Sequence, residues 1–202
     1  MDAEMAELFK QQLMLFTLWE GIAILLGLAY VLMAARELPW AWPAALVSTG
    51  IYTVLFWEGN LPMQSAVNVI YMAMAVYGWT MWRARADGST ALTIHRWNLG
   101  RHAAWISLGV LLTFGFGGML SLYNASPMPY LDAGVMVFSM MTTFLMARKV
   151  LENWFYWIVI NTFAVALYWQ LGYPMTALMF VAYMGLAWYG MINWQIRWRQ
   201  QQ

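Results

Sequence analysis

Cysteine is absent from the 202 residues, which excludes disulfides, thiolate metal sites and thiol catalysis and leaves the redox compartment open. Charge is scarce as well. Ten basic and nine acidic residues make up 9% of the chain, against about 25% in an ordinary soluble domain. The net charge is +1, so no excess of positive charge points to nucleic acid. Apolar residues reach 63%, which rules out both a water-soluble globule and a disordered chain. An integral membrane protein is what remains. The chain begins Met1-Asp2-Ala3-Glu4, acidic where a signal peptide is basic, so no cleaved segment is expected.

A membrane-spanning helix needs about 20 mostly apolar residues. Seven stretches qualify, at 12–35, 40–57, 61–82, 103–122, 130–147, 153–171 and 173–193. A membrane β-barrel would alternate apolar and polar residues, and Ile22-Ala23-Ile24-Leu25-Leu26-Gly27-Leu28 does not. The expected architecture is therefore all-α, seven transmembrane helices with short loops. One longer loop, 83–102, carries Asp87-Gly88-Ser89. This threading puts Arg36, Arg83, Arg85, Arg96, Arg101, Arg148, Lys149, Arg197 and Arg199 on one side and Lys10 alone on the other. By the positive-inside rule the N-terminus is expected outside and the C-terminus in the cytoplasm.

The chain also matches itself at an offset of 112 residues. Ala35-Arg36 falls on Ala147-Arg148, Trp42 on Trp154, Trp57 on Trp169, Pro62-Met63 on Pro174-Met175, Tyr71 on Tyr183, Tyr77-Gly78 on Tyr189-Gly190 and Trp82 on Trp194. Rare residue types match in order, so a three-helix unit is repeated. Three helices reverse the chain's direction and one further helix restores it. The two units are thus expected to run parallel, in a 3+1+3 plan known from secondary transporters. The divisions are 12–82 for the first unit, 83–122 for the loop and linker helix, 130–194 for the second unit and 195–202 for a cytoplasmic tail.

Substrate sites of such proteins lie near the bilayer midplane, between repeats. Thr49, Asn68, Tyr71, Asn161 and Tyr183 fall there. A side-chain amide in lipid is costly without partners, so Asn161 and Asn68 mark a polar cavity or an interhelical hydrogen bond. Trp154, Trp157 and Asn161, spaced i, i+3 and i+7, share a helix face. Gln64, Asn68, Tyr71 and Ala75 share another, and Phe180, Tyr183 and Ala187 a third. Facing one another, these would form an aromatic slot edged by amides, suited to a flat ring and more so to a cationic one. Trp40, Trp57, Trp82, Trp169 and Trp194 stand at helix ends, where interface anchors are expected. Glu20 and Asp132 are repeat-related and could cap helices, line an entrance or bind a proton. His95 and His102 fall in the polar loop, where solvation is expected.

No ATP-binding GxxxxGK[ST] string, nucleophile–His–acid set, metal-ligand cluster or membrane-crossing chain of titratable groups is present. Neither an enzyme nor a cofactor or metal is expected. The run Gly115–Gly118 permits close helix contact, so oligomerisation is open.

Leu131-Asp132, the string Ala147-Arg148-Lys149-Val150-Leu151-Glu152-Asn153-Trp154 with Trp157, Ile158 and Asn161, and Tyr77-Gly78-Trp79 with Trp82 resemble the Pnu family of bacterial vitamin transporters. The resemblance runs from about Glu20 to Trp194. It implies a SWEET-like fold and facilitated diffusion of an unphosphorylated vitamin through the inner membrane, with trapping by a cytoplasmic kinase. It also implies a substrate held by Trp154, Trp157 and Asn161, with nicotinamide riboside as the expected cargo. Two positions depart from the family pattern. Asn68 stands where glutamine is expected, and Tyr189 where asparagine is expected. With Gln64 these are candidate specificity positions, and thiamine is the alternative cargo. The spans 1 and 5 lack prolines, so the proline hinge of SWEETs is not carried over. A non-transporting membrane scaffold is the remote alternative, and it predicts a packed interior with no cavity near Asn161.

Overall fold

Several helix starts follow from local sequence signals. The computed structural model describes residues 17–83 and 92–202. Lys10, Arg85 and Asp87-Gly88-Ser89 lie outside them. Seven helices appear among the described residues: α1 (Leu18–Ala35), α2 (Ala41–Glu58), α3 (Pro62–Trp82), α4 (Leu99–Leu122), α5 (Pro129–Ala147), α6 (Asn153–Gln170) and α7 (Pro174–Gln200). Thr17 and Glu20 close α1 with a reciprocal capping box. Asn98 caps α4 through its side chain. Proline occupies the first turn of α3, α5 and α7, where its missing N–H costs nothing. Two boundaries differ from the sequence expectation. The cap at Asn98 starts α4 at Leu99 rather than 103, and α7 continues to Gln200, so the expected tail from 195 is mostly helical.

Four helices, α1, α4, α5 and α7, are long and apolar enough to cross a membrane by length and composition. The other three carry polar groups that lower their hydropathy. These are Ser48, Thr49 and Thr53 in α2, Gln64 and Asn68 in α3, and Asn153, Asn161 and Thr162 in α6. Large apolar side chains such as Leu25, Leu111, Phe114, Phe163 and Trp188 face outward, as a lipid-facing surface requires.

Contacts close six helices into a ring in the order α1, α2, α3, α5, α6, α7 and back to α1, while α4 lies outside the ring and packs along α5. One end of the ring is sealed by four tryptophans. Trp42 meets Trp82 edge-to-face at 5.4 Å and 89°, and Trp154 meets Trp194 at 5.4 Å and 88°. Trp82 and Trp194 join the pairs at 6.0 Å. Trp42 lies against Gly78 and Trp154 against Gly190, so closely that an added Cβ would come closer than 3.0 Å to ring carbons. Buried alanines, including Ala34, Ala35, Ala75, Ala147 and Ala187, let the backbones approach. Trp82 and Trp194 were expected as interface anchors. Trp40, Trp57 and Trp169 are exposed at 67%, 69% and 55%, but Trp82 is 6% exposed and Trp194 0%. Position along a helix does not report which way a side chain faces.

Polar contacts at this end join the first three helices to the last three. Trp82 Nε1 donates to the Ala147 carbonyl and Trp194 Nε1 to that of Ala34, both at 3.0 Å. Arg148 donates to the Tyr77 hydroxyl and Arg36 to that of Tyr189, both at 3.3 Å. Glu37 and Lys149 are themselves 112 residues apart in sequence. Both take left-handed backbone at helix ends, with φ of 56° and 53°, a position that favours Gly or Asn. There Lys149 Nζ donates to Glu37 at 2.8 Å and lies 5.1 Å over the Trp82 ring.

The segment 92–98 crosses this end as a strap. His95 exchanges backbone hydrogen bonds with the turn at 149–151, and Ile94 is buried in the tryptophan cluster. Glu152, at the α6 N-terminus, accepts from Arg96 at 2.7 Å and from the Trp97 amide at 3.3 Å. His102 was expected to be solvated. It sits in the first turn of α4 with a side chain only 14% exposed, 2.9 Å from the Tyr156 hydroxyl and 3.7 Å from Glu152. The earlier start of α4 carries it there.

Candidate functional site

Above the tryptophan seal the ring of helices encloses a cavity of about 630 Å³. A packed interior, the scaffold expectation, is not what the chain builds. Trp42, Trp154, Ala75, Ala187 and Met146 line its closed end. Asn60, Leu61, Pro62, Met63, Leu120 and Ala125 line the opposite end, away from the arginine-bearing turns.

The residues named from sequence fall on its walls. Trp154, Trp157 and Asn161 present one face of α6 to it, as their i, i+3, i+7 spacing requires. Trp154 is fully buried and Asn161 is 3% exposed. No described protein group hydrogen-bonds the Asn161 amide, which leaves its donors and acceptor for whatever fills the cavity. On α3, Gln64, Asn68 and Tyr71 line the wall, with the Asn68 amide donating to the Gln64 carbonyl at 2.9 Å. On α7, Phe180 and Tyr183 line it, and Phe180 stacks on Tyr168 at 5.3 Å. Thr49 lines it from α2 with its hydroxyl turned back on the Ala45 carbonyl at 2.8 Å, so its side chain is already bonded. Tyr189 does not line the cavity. Six residues beyond Tyr183, it points off that face and accepts from Arg36 at the sealed end.

Other lining residues were not foreseen. Tyr30, Trp42, Tyr52, Ser139 and Thr143 also face the cavity. The repeat offered a signal for one of them, because Trp42 is the counterpart of Trp154. Asp132 and Glu20, also repeat-related, are used differently. Glu20 is held by Thr17, whose amide and hydroxyl donate to it at 2.7 and 2.9 Å. Asp132 lines the cavity beside Ser126.

A helical ring with an apolar outer surface, closed at one end and hollow at its centre with aromatic and amide walls, is the build of a membrane transporter. The sequence profile of the nicotinamide mononucleotide transporter family matches residues 17–196, and the chain belongs to that family. It is a multi-pass inner-membrane transporter and not an enzyme. Along 99% of its length it is 26% identical to the riboflavin/roseoflavin transporter RibM of Streptomyces davaonensis, covering 93% of that protein. It is 22% identical to the nicotinamide riboside transporter PnuC of Escherichia coli over 74% of this chain and 73% of that one. The PnuC of Neisseria mucosa is 28% identical over 74% of this chain and 61% of its own. The crystal structure of the vitamin B3 transporter PnuC shares the fold, with a TM-score of 0.74 at 22% identity, covering 98% of this chain and 91% of that one.

Proposed function

We propose that the protein mediates passive uptake of a vitamin built from a flat heteroaromatic ring and a hydroxylated tail. The observation that carries this is the Asn161 amide, buried beside Trp157 and Trp154 in the cavity and free of protein partners. In this reading the ring lies in the slot of Trp154 and Trp157, and Asn161 pairs with its polar edge. Asn68, Tyr71, Tyr183, Thr49 and Gln64 complete the walls.

Two cargoes have that form. Riboflavin is supported by the likeness to RibM, which spans nearly both chains. Nicotinamide riboside, expected from the sequence, is supported by the PnuC relatives and by the Asp132 carboxylate on the cavity wall, which would attract a pyridinium. Thiamine is the third compound to assay.

Transport follows from the repeat. Residues 12–82 and 130–194 act as parallel three-helix bundles in a SWEET-like arrangement, with 83–122 linking them. The bundles rock about the cavity, opening the tryptophan seal as the far end closes. The arginine-rich end is cytoplasmic and the N-terminus outside. A cytoplasmic kinase that phosphorylates the arriving vitamin would make uptake unidirectional. The test is exchange of labelled riboflavin, nicotinamide riboside and thiamine by proteoliposomes without ATP or an ion gradient. Saturable exchange of one of them is the expected result. Exchange of none, or exchange that requires a proton gradient, contradicts this reading.

A further inference from the structure

Two tyrosines stand at equivalent places in the cavity, and their surroundings differ at one position. Tyr71 on α3 and Tyr183 on α7 are separated by the repeat offset, and each faces the other half of the ring across a seam. At the α3–α5 seam the Tyr71 hydroxyl stands beside Ser139. The residue equivalent to Ser139 at the α7–α1 seam is Gly27. The Tyr183 hydroxyl sits 2.9 Å from where a Cβ on Gly27 would be, and no described protein group hydrogen-bonds it. Ser48 Oγ lies 3.7 Å from the same point and donates to the Ala23 carbonyl at 2.8 Å, which leaves its lone pairs available. Gly27, Ser48 and Tyr183 all line the cavity.

This notch stands against two penalties. A largely buried hydroxyl without a partner is unfavourable, and glycine is a poor residue for a helix interior. Serine at position 27, as at 139, would relieve both. We infer that Gly27, Ser48 and Tyr183 form the subsite for the cargo's hydroxylated tail, with Tyr183 the specificity-determining hydroxyl and Gly27 the residue that keeps it free. Hydroxyls both donate and accept, so a pair of them suits a polyol, whereas the aromatic slot on α6 suits the ring. This rests on the vitamin reading above and assigns the two ends of the cargo to opposite walls.

The experiment is equilibrium binding by the purified full chain. The ligands are riboflavin with lumiflavin, its ring without the polyol, and nicotinamide riboside with nicotinamide. Tyr183→Phe removes only the hydroxyl. It is expected to weaken the parent vitamin about five- to tenfold while leaving the bare ring unchanged. Gly27→Ser is expected to weaken the parent at least as much. Adding Tyr183→Phe to it should cost nothing further, because the serine already occupies the hydroxyl. If Gly27→Ser does not fold, Tyr183→Phe alone carries the test. Parent binding unchanged in Tyr183→Phe, equal losses for parent and ring, or additive losses in the double variant would each overturn the subsite while leaving the vitamin reading in place. A wild-type chain that binds neither parent overturns both.

Discussion

Trp42, Gly78 and Trp82 in the first half and Trp154, Gly190 and Trp194 in the second make the same contacts in the same order. One or two turns away along the same helices, in the cavity, the halves part. Tyr71 stands beside Ser139, but Tyr183 stands beside Gly27. Asn161 has Thr49 as its counterpart, and one side chain has no protein partner while the other is bonded to its own helix. Glu20 caps a helix, while Asp132 faces the cavity. The difference has a physical reading. A seal between two like halves is met twice by the same solution, because each half presents the same surface to the other. A cargo with a ring at one end and a polyol at the other, as proposed above, has no two-fold symmetry to match, and cavity residues that diverge would suit it.

The largest effect should come from breaking the symmetric end. Gly78→Val and Gly190→Val each drive side-chain atoms into a tryptophan ring that has nowhere to go, at a cost of about 3 kcal/mol or more. Thermal unfolding should show equal losses for the two. Unequal losses would mean that the halves do not share the seal alike. Next is the Glu37–Lys149 pair, whose side chains are 11% and 12% exposed. Glu37→Gln strands the lysine charge and should cost up to about 3 kcal/mol, partly offset because Lys149 also lies over Trp82. Arg197 also donates to Glu37 at 3.4 Å. Glu37→Gln should therefore cost more than Lys149→Met, which leaves Glu37 that second partner. Equal losses would mean that Arg197 does not share the pair.

In the cavity, Asn161→Ala and Trp157→Ala should each abolish uptake with the melting temperature held within a few degrees. Normal uptake by both would move the site elsewhere. The smallest effect should come from Asp132→Asn, measured as a ratio of affinities. Nicotinamide riboside should weaken a few-fold, about 1 kcal/mol or less, with riboflavin unchanged. Equal change for both would make Asp132 structural rather than selective.

Much of this was legible in the sequence because it depends on one dimension. Hydropathy places five of the seven helix starts within two residues among those described, and the 112-residue offset pairs the residues that seal the bundle. What depends on direction was not legible. Trp82 sits at its helix end and Trp194 just past the end of its expected span, as interface anchors do, but their rings turn inward. Tyr189 follows Tyr183 by six residues, which is off the face, a matter of helical arithmetic that residue type alone does not settle. His102 needed the Asn98 cap to bring it into the first turn of α4. Asp132 could be told from Glu20 only through Thr17, which makes a capping box with Glu20 while proline fills the equivalent place before Asp132. Gly27 was invisible as a site residue because an absent side chain leaves no mark until its neighbours are placed.

The central claim is that the asymmetric cavity holds the cargo and that Asn161 reads it. Calorimetric titration of the detergent-purified chain with riboflavin, nicotinamide riboside and thiamine, alongside folded Asn161→Ala, tests it most directly. The account predicts that one of the first two binds the wild-type chain at a single site and that Asn161→Ala loses at least tenfold in affinity. Equal binding by both proteins, or binding of none of the three by folded wild-type protein, would contradict it.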